Sequence, residues 1–348
     1  MKSGVKAAVL FVVVCSCSRT LPTQVQPPKP PNLPALDWAY DMSPDGSRVL
    51  YRHRDSTGTL PGGVYQLEIS DTLQTTSVFP NTSFFASDCR FSPDGLKVAY
   101  TRNFLEDIYI RNLMTGEDTQ ITFTYGNAVT PDWDPSGRYI VYSRVFHDYN
   151  TPDSTAGIHV VDTETMADIA FRYSGGVVFG ASPRWSPDSL SIAFYTQGIP
   201  DHIITVSVDG SRYKDLTPND RRNNNYPVWI NGSGSLLFES YSPNTFNIHE
   251  TQVIHADGTG RTRLPFDIQY AIGFAAVAGS ANLCAYTGPD STGKYYVLLL
   301  RGLNDATGAS IRQLTSGPSS TTPSLRFVSN TGLENPRELV RRGLLGAN

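Results

Sequence analysis

Six histidines, one acid-rich loop and a set of arginines are the residues of this chain whose chemistry reaches beyond packing. The histidines are His53, His147, His159, His202, His249 and His255. A protein metal site needs imidazole, thiolate or carboxylate ligands converging on one point. His249 and His255 are the nearest pair, but six residues of strand span about 20 Å, so the two cannot share an ion. The loop VFHDYNTPDSTAG (145–157) offers Asp148, Asn150 and Asp153 as oxygen donors in an order resembling a calcium loop. It lacks the sixth-position glycine, and its twelfth position is His159 instead of Glu. Asp-Ser-Thr-Gly or a near variant recurs at Asp55, Asp153 and Asp290, which turn chemistry explains through side chains bonding local backbone. Neither a metal nor another cofactor is expected.

The arginines make a different proposition. Arg102 and Arg144 fall at equivalent ends of strands in adjacent repeats. With Tyr125, His147, Arg221 and Arg222 they would form a cationic, aromatic mouth suited to an acidic peptide or an anionic sugar. The competing expectation is that these arginines pair with nearby Asp and Glu, as surface arginines commonly do.

What positions these side chains is a repeat. RFSPDGLKVAYTR begins at Arg90, and related stretches are DMSPDGSRVLYRH from Asp41, DWDPSGRYIVYSR from Asp132 and RWSPDSLSIAFYT from Arg184. Proline presets φ for a type I turn, Asp bonds its neighbouring backbone, and Gly accepts the left-handed conformation that follows, so each corner closes a hairpin. Anchored on Pro44, Pro93, Pro135, Pro187, Gly232 and Gly279, the spacing is 42 to 52 residues. Four short strands per repeat at that spacing describe the blade of a β-propeller. The expected fold is therefore all-β, a six-bladed propeller of four-stranded antiparallel blades at 36–80, 84–122, 128–172, 180–216, 225–264 and 270–315. A strand at 322–327 could open a seventh blade or close the ring, and ENPRELVRRG reads as a short C-terminal helix. In the fifth copy Ile230 counts as an extra, bulged residue, and in the sixth Asn282 takes the left-handed position. Trp133, Trp185 and Trp229 recur at one blade position, which repeated wedge packing between blades explains better than an aromatic ligand cage.

Composition narrows the function. With 28 basic and 32 acidic residues, the chain lacks the basic excess through which nucleic-acid binders neutralise phosphate. Residues 1–16 read as a signal peptide: Lys2 and Lys6, then an apolar run from Ala7 to Val14. Val14-Cys15-Ser16-Cys17 resembles a bacterial lipobox, which makes Cys17 the lipidated first residue of the mature chain. Ser18, where an inner-membrane retention signal would place Asp, points to the outer membrane. Residues 17–35 then form a lipidated cysteine and a proline-rich spacer, 36–329 the propeller and 330–348 a tail. Only Cys89 and Cys284 remain, in blades that do not touch, so two free, buried thiols are expected.

The SPDG corners, together with IYIRNLMTGEDTQIT and ITVSVDGSRYKDLT, resemble the TolB-type propeller repeat of bacterial envelopes over residues 36–329. The TolB N-terminal α/β domain has no counterpart in this sequence. The resemblance implies the propeller fold and protein binding in the envelope. Related propellers cap serine peptidases, but no G-x-S-x-G elbow occurs in the sequence. The chain thus reads as a non-catalytic, monomeric, lipid-anchored propeller facing the periplasm. Its protein or peptide partner would bind through the rim of long loops TSFFAS (82–87), TYGNAV (124–129), VFHDYNTPDS (145–154) and TPNDRRNNNY (217–226). The alternative is a carbohydrate-active propeller, a glycan binder or lyase using channel residues.

Overall fold

The computed structural model describes residues 37–53, 63–72, 74–80, 84–102, 107–124, 128–145, 156–174, 176–230, 232–243, 249–264, 276–277, 283–289, 296–302 and 311–315. The leader, Cys17, the spacer, the strand expected at 322–327 and the tail helix lie outside the described residues. So do Tyr125, His147, Asp148, Asn150, Asp153 and Asn282.

Six four-stranded sheets follow one another along the chain, each built of consecutive strands paired antiparallel. Blade 1 holds β1 (Asp37–Met42), β2 (Arg48–His53), β3 (Gly63–Glu68) and β4 (Thr75–Ser77). Blade 2 holds β5 (Ala86–Phe91), β6 (Lys97–Arg102), β7 (Asp107–Asn112) and β8 (Asp118–Gln120). Blade 3 holds β9 (Ala128–Trp133), β10 (Tyr139–Arg144), β11 (Gly157–Asp162) and β12 (Asp168–Ala170). A small hairpin of β13 (Arg172–Tyr173) and β14 (Gly176–Val177) precedes blade 4. That blade is β15 (Ala181–Trp185), β16 (Ser191–Tyr195), β17 (Ile203–Ser207) and β18 (Tyr213–Asp215). Blade 5 is β19 (Asn223–Ile230), β20 (Ser235–Tyr241), β21 (His249–His255) and β22 (Thr262–Arg263). Blade 6 is β23 (Ala276–Val277), β24 (Leu283–Pro289), β25 (Tyr296–Gly302) and β26 (Arg312–Gln313). For blades 1 to 5 the expected boundaries hold to within a few residues, and the expected start of blade 6, at 270, lies outside the described residues.

Packing follows from the second strand of each blade. Val49-Leu50-Tyr51, Val98-Ala99-Tyr100, Ile140-Val141-Tyr142 and Ile192-Ala193-Phe194 are buried throughout, as a strand covered on both faces must be. Alternate residues then serve opposite neighbours. Leu50 packs with Phe91 and Tyr100 of blade 2, whereas Val49 and Tyr51 pack with Ala285 and Leu300 of blade 6. The recurring tryptophans are wedges: Trp133 joins the core between blades 2 and 3, Trp185 that between blades 3 and 4, and Trp229 that between blades 4 and 5. Trp133 Nε1 donates to the Arg90 carbonyl at 3.3 Å and Trp229 Nε1 to the Arg184 carbonyl at 3.0 Å, each reaching the innermost strand of the preceding blade. Cys89 and Cys284 are free and buried as expected, and burial pushes the Cys284 thiol up to about 12.

Among the described residues, blade 6 meets blade 1 directly. Arg312 donates to the Ile69 carbonyl at 2.6 Å, Thr315 to Asp37 at 2.5 Å, and the Ala39 amide to Thr287 at 3.1 Å.

The corners show why glycine stands where it does. Gly46, Gly95 and Gly137 hold φ of +71°, +68° and +75°. Blade 4 has Ser189 at the same place, at +64°, with its amide donating to the Ser186 carbonyl just as Gly95 donates to that of Ser92. A non-glycine residue is strained there by about 1–2 kcal/mol, partly offset in the unfolded chain. Ser189→Gly should therefore stabilise the protein by about 0.5–1 kcal/mol, read as a higher urea midpoint at unchanged slope.

Blade 5 corrects one expectation. Ile230 pairs in register with Ser235, so it stands where Ser92 faces Lys97 in blade 2 and is not an extra residue. The bulge lies earlier, between Asn225 and Val228, and matching shifts occur in the innermost strands of blades 1 to 4. Asp88, Thr130, Ser182 and Tyr226 sit in it with φ near +50°. Anchoring the fifth copy on Gly232 displaced the comparison by one residue.

Candidate functional site

Two surfaces frame the central channel: a rim of tight turns and a rim of the longer loops that leave each blade's second and fourth strands. On the loop rim the arginines lie against aromatic rings. The Arg52 guanidinium lies 4.1 Å from the Phe85 ring centroid and 5.5 Å from that of Trp38. Arg102 lies 4.3 Å from Phe84 and 5.1 Å from Tyr109, and Phe84 is itself stacked on Tyr100. Such contacts are worth about 0.5–1 kcal/mol at exposed sites and hold an extended cation in place. The loops between blades expose Phe85 (41%), Phe123 (66%) and Phe179 (55%), and the β16–β17 loop exposes Ile199 (90%).

The wall contributed by blades 4 and 5 has the opposite character. Tyr195 and Tyr226 meet edge to face at 5.4 Å. The Asn225 amide donates to Asp201 at 2.9 Å, and buried Glu239 lies on the neighbouring strand. Burial first, then Tyr195 and Glu239, push the Tyr226 phenol above its ordinary value, so it stays a protonated donor.

Of the expected site residues, Arg102 and Arg144 close β6 and β10 at the loop rim. Burial works to raise the Asp168 carboxyl, but hydrogen bonds from His159 and Tyr142 and the charges of His159 and Arg144 hold it below the usual range. Arg221 is exposed on the loop before β19. Arg222 instead turns into blade 5, donating to Ser240 Oγ and the Ser240 carbonyl at 2.9 Å and pairing with Glu250 at 3.2 Å. For Arg222 the expectation of local pairing is the one that holds.

Three histidines are held by a carboxylate within their own blade: His53 by Asp37 at 2.8 Å, His159 by Asp168 at 3.1 Å and His202 by Asp215 at 2.7 Å. His249 and His255 close opposite ends of β21, which is the separation expected for a strand. Among the described residues no group of three or more His, Cys, Asp or Glu side chains is placed to hold a metal ion.

A further set of residues escaped the sequence reading. The last residue but one of the innermost strand is Asp41 in blade 1, Arg90 in blade 2, Asp132 in blade 3 and Arg184 in blade 4. The four side chains alternate in charge around the channel near the turn rim. Asp41 accepts from the Phe91 amide and Asp132 from the Trp185 amide, both at 2.8 Å, so each carboxylate clasps the next blade. Arg90 donates to the Tyr40 and Cys89 carbonyls, and Arg184 faces Asp132 at 3.7 Å. Asp132 keeps 19% side-chain exposure, yet it lies deep enough for desolvation to raise it against the pull of Arg184 and Arg90. Burial raises Asp41 to about 6 in the same way, and burial with the charge of Arg90 lowers Arg184 to about 10. The signal for this ring was the alternating residue before each corner motif.

Comparison with known proteins agrees with this architecture. Residues 43–134 match the family described as the dipeptidyl peptidase IV (DPP IV) N-terminal region. No curated protein matches the chain. Among solved structures, a TolB protein from Agrobacterium tumefaciens is similar at 23% identity and TM-score 0.54, over 68% of this chain and 82% of that one. TolB from Acinetobacter baumannii is similar at 15% identity and TM-score 0.57, over 77% of this chain and 61% of that one. The oligogalacturonate lyase of Vibrio parahaemolyticus is similar at 14% identity and TM-score 0.55, over 82% of this chain and 80% of that one. The chain shares the propeller fold of all three.

Proposed function

We propose that this chain is a non-catalytic propeller, anchored in the cell envelope through Cys17, that binds a protein or peptide partner on its loop rim and channel mouth. The observation that carries the reading is the set of exposed apolar side chains Phe85, Phe123, Phe179 and Ile199 on these loops, together with the arginines stacked on Phe84 and Phe85. Exposed aromatics and arginines, presented by loops on a rigid scaffold, are what anchors a protein interface. The likeness to TolB propellers supports an envelope protein-binding role, and the lipobox-like Val14–Cys17 and the spacer supply the anchor and its reach.

The carbohydrate-active alternative draws support from the likeness to oligogalacturonate lyase. It needs ionisable side chains converging in the channel. Among the described residues, Asp41, Arg90, Asp132 and Arg184 of blades 1 to 4 are engaged with one another and with backbone.

The test is crosslinking in native envelopes with wild type, a Phe123→Asp/Ile199→Asp rim variant and a Leu96→Asp control on the turn rim. A discrete protein should be captured by wild type and control and reduced at least tenfold by the rim variant. Equal capture by all three would remove the loop rim from consideration. Absence of any captured protein, with stoichiometric metal in the purified chain, would put the carbohydrate-active reading first.

A further inference from the structure

Blade 5 opens on three consecutive asparagines, Asn223, Asn224 and Asn225, and all three are buried. A buried amide is costly unless it is hydrogen-bonded, so its partners show what it is for. On one face of the strand Asn224 bonds to Asp220 at 3.0 Å and to Arg261 at 3.2 Å. Asn223 and Asn225, on the other face, reach across to blade 4. Asn223 Oδ1 accepts from the Asp201 amide at 3.1 Å, and Asn225 Nδ2 donates to the Asp201 carboxylate at 2.9 Å. One group is left over. Asn225 is 5% exposed, and its Oδ1 has no hydrogen-bond partner. A buried acceptor in that state is destabilising until a donor reaches it.

The surroundings of that oxygen are acidic and aromatic. Opposite Asn225 and Asn223 in the ladder, on the same face, stand Glu239 and Tyr241. Blade 4 adds Tyr195 at the loop-rim end of β16 and Asp201 in the loop that follows, and Tyr226 succeeds Asn225 in the strand bulge. The Tyr195 and Tyr226 rings meet at 5.4 Å and 72°, so they form a corner of two walls. Tyr195, Asp201, Tyr226 and Tyr241 are each partly exposed, whereas Asn225 and Glu239 are buried. A ligand at this corner would therefore touch the rings and Asp201 first.

These groups select a cation. Burial foremost, with Asp201, Glu239 or both adding to it, pushes the phenols of Tyr195, Tyr226 and Tyr241 above their ordinary value, so the rings stay neutral. Their faces, the two carboxylates and the amide oxygen are all electron-rich. A positive charge is drawn by the ring quadrupoles and by the carboxylates together, and its N–H groups supply the donor that Asn225 Oδ1 lacks. An ammonium carries three such donors and no acceptor. An apolar side chain of the same length would leave the oxygen unbonded, and an anion would meet two like charges.

We propose that this corner between blades 4 and 5 binds a cationic side chain, lysine or arginine, carried by the protein partner. The inference rests on the loop-rim reading for the source of the cation and deepens it, because it states which charge the partner presents to this side of the mouth. The acidic peptide that the arginines alone suggest would be repelled here by Asp201 and Glu239.

The test titrates the purified protein, carrying isotope-labelled tyrosines, while the Tyr195 and Tyr226 ring resonances are followed by NMR. The probes are Nα-acetyl-lysine amide, Nα-acetyl-arginine amide and the neutral Nα-acetyl-norleucine amide. At least one cationic probe should give a saturable shift in the millimolar range, at least tenfold tighter than the norleucine probe, and the better of the two names the side chain. Glu239→Gln, which keeps the shape and removes a charge, should weaken that binding at least tenfold. Tyr195→Leu, read at Tyr226, removes one ring wall and should weaken it about threefold, and it serves if Glu239→Gln does not fold. The proposal is overturned by unshifted rings, by norleucine binding as tightly as the cations, or by undiminished binding to the folded variants. Failure of the probes with envelope capture intact overturns this inference alone. Probe binding without any captured protein upholds the cation site and removes only the protein-partner reading.

Discussion

Arg184→Ala should destabilise the propeller by roughly 3–5 kcal/mol, the usual consequence of removing one partner from a buried ion pair. Arg184 is 6% exposed and faces Asp132 at 3.7 Å, within the field of Asp41 and Asp88. Its loss leaves Asp132 buried with less compensation, while Asp132 still has to accept the Trp185 amide that ties blade 3 to blade 4. Urea denaturation followed by tryptophan fluorescence would report the loss as a lower midpoint. Replacing both partners, Asp132→Asn with Arg184→Met, removes the uncompensated charge and should recover most of the stability, because the amide oxygen can still accept from Trp185 and the methionine needs no partner. A loss below about 1 kcal/mol for Arg184→Ala would mean that the ring is solvated and does not hold the blades.

Much of this architecture was legible in the sequence, for a physical reason. A propeller repeats one local solution, so the corner chemistry of Ser92-Pro93-Asp94-Gly95 and the buried run Val98-Ala99-Tyr100 recur and can be counted. Trp133, Trp185 and Trp229 were readable as wedges because a side chain repeated at one blade position must serve what the blades have in common. Blade 5 misled because glycines at 232 and 234 allow two alignments, and only the pairing of Ile230 with Ser235 chooses between them.

The site was harder to read, because it depends on differences between repeats. Asp41, Arg90, Asp132 and Arg184 precede equivalent corners in plain view, but their alternation matters only once the innermost strands are brought around one axis. The arginines divide in the same manner. Arg102 lies on aromatic rings at the rim, whereas Arg222, identical in type, bonds to Ser240 and Glu250 within its blade. Residue type and spacing give the strand end but not the rotamer.

The ring also sets a pH dependence, opposite in sign to the common one for carboxylates. Burial outweighs the attraction of Arg90 and the Phe91 amide, leaving Asp41 at about 6, and Asp88 and Asp132 are raised as well. The folded protein therefore binds the Asp41 proton more tightly than the unfolded chain does. The stability this confers is complete below the ordinary carboxylate value of 3.8 and is lost as the pH rises through about 6. For one group displaced by that much, the change is on the order of 3 kcal/mol. At the acid end, Asp162 and Asp209, held at about 2 by hydrogen bonds led by Arg138 and Ser207, lose their contribution as the pH falls towards that value. Stability should then peak near pH 4–5, between the two windows. Asp41→Asn tests the cause, because the amide oxygen can still accept from Phe91 but carries no charge to bury. The variant should match wild type at pH 4.5, exceed it by about 1–3 kcal/mol at pH 8, and show a flatter profile between. Lower stability than wild type at pH 8 would mean that the attraction between Asp41 and Arg90 outweighs desolvation. The ring would then be a net clasp at neutral pH, and the loss on Arg184→Ala should persist undiminished there. If desolvation wins, lowering the pH should shrink that loss, since protonated Asp41 and Asp132 no longer need the guanidinium.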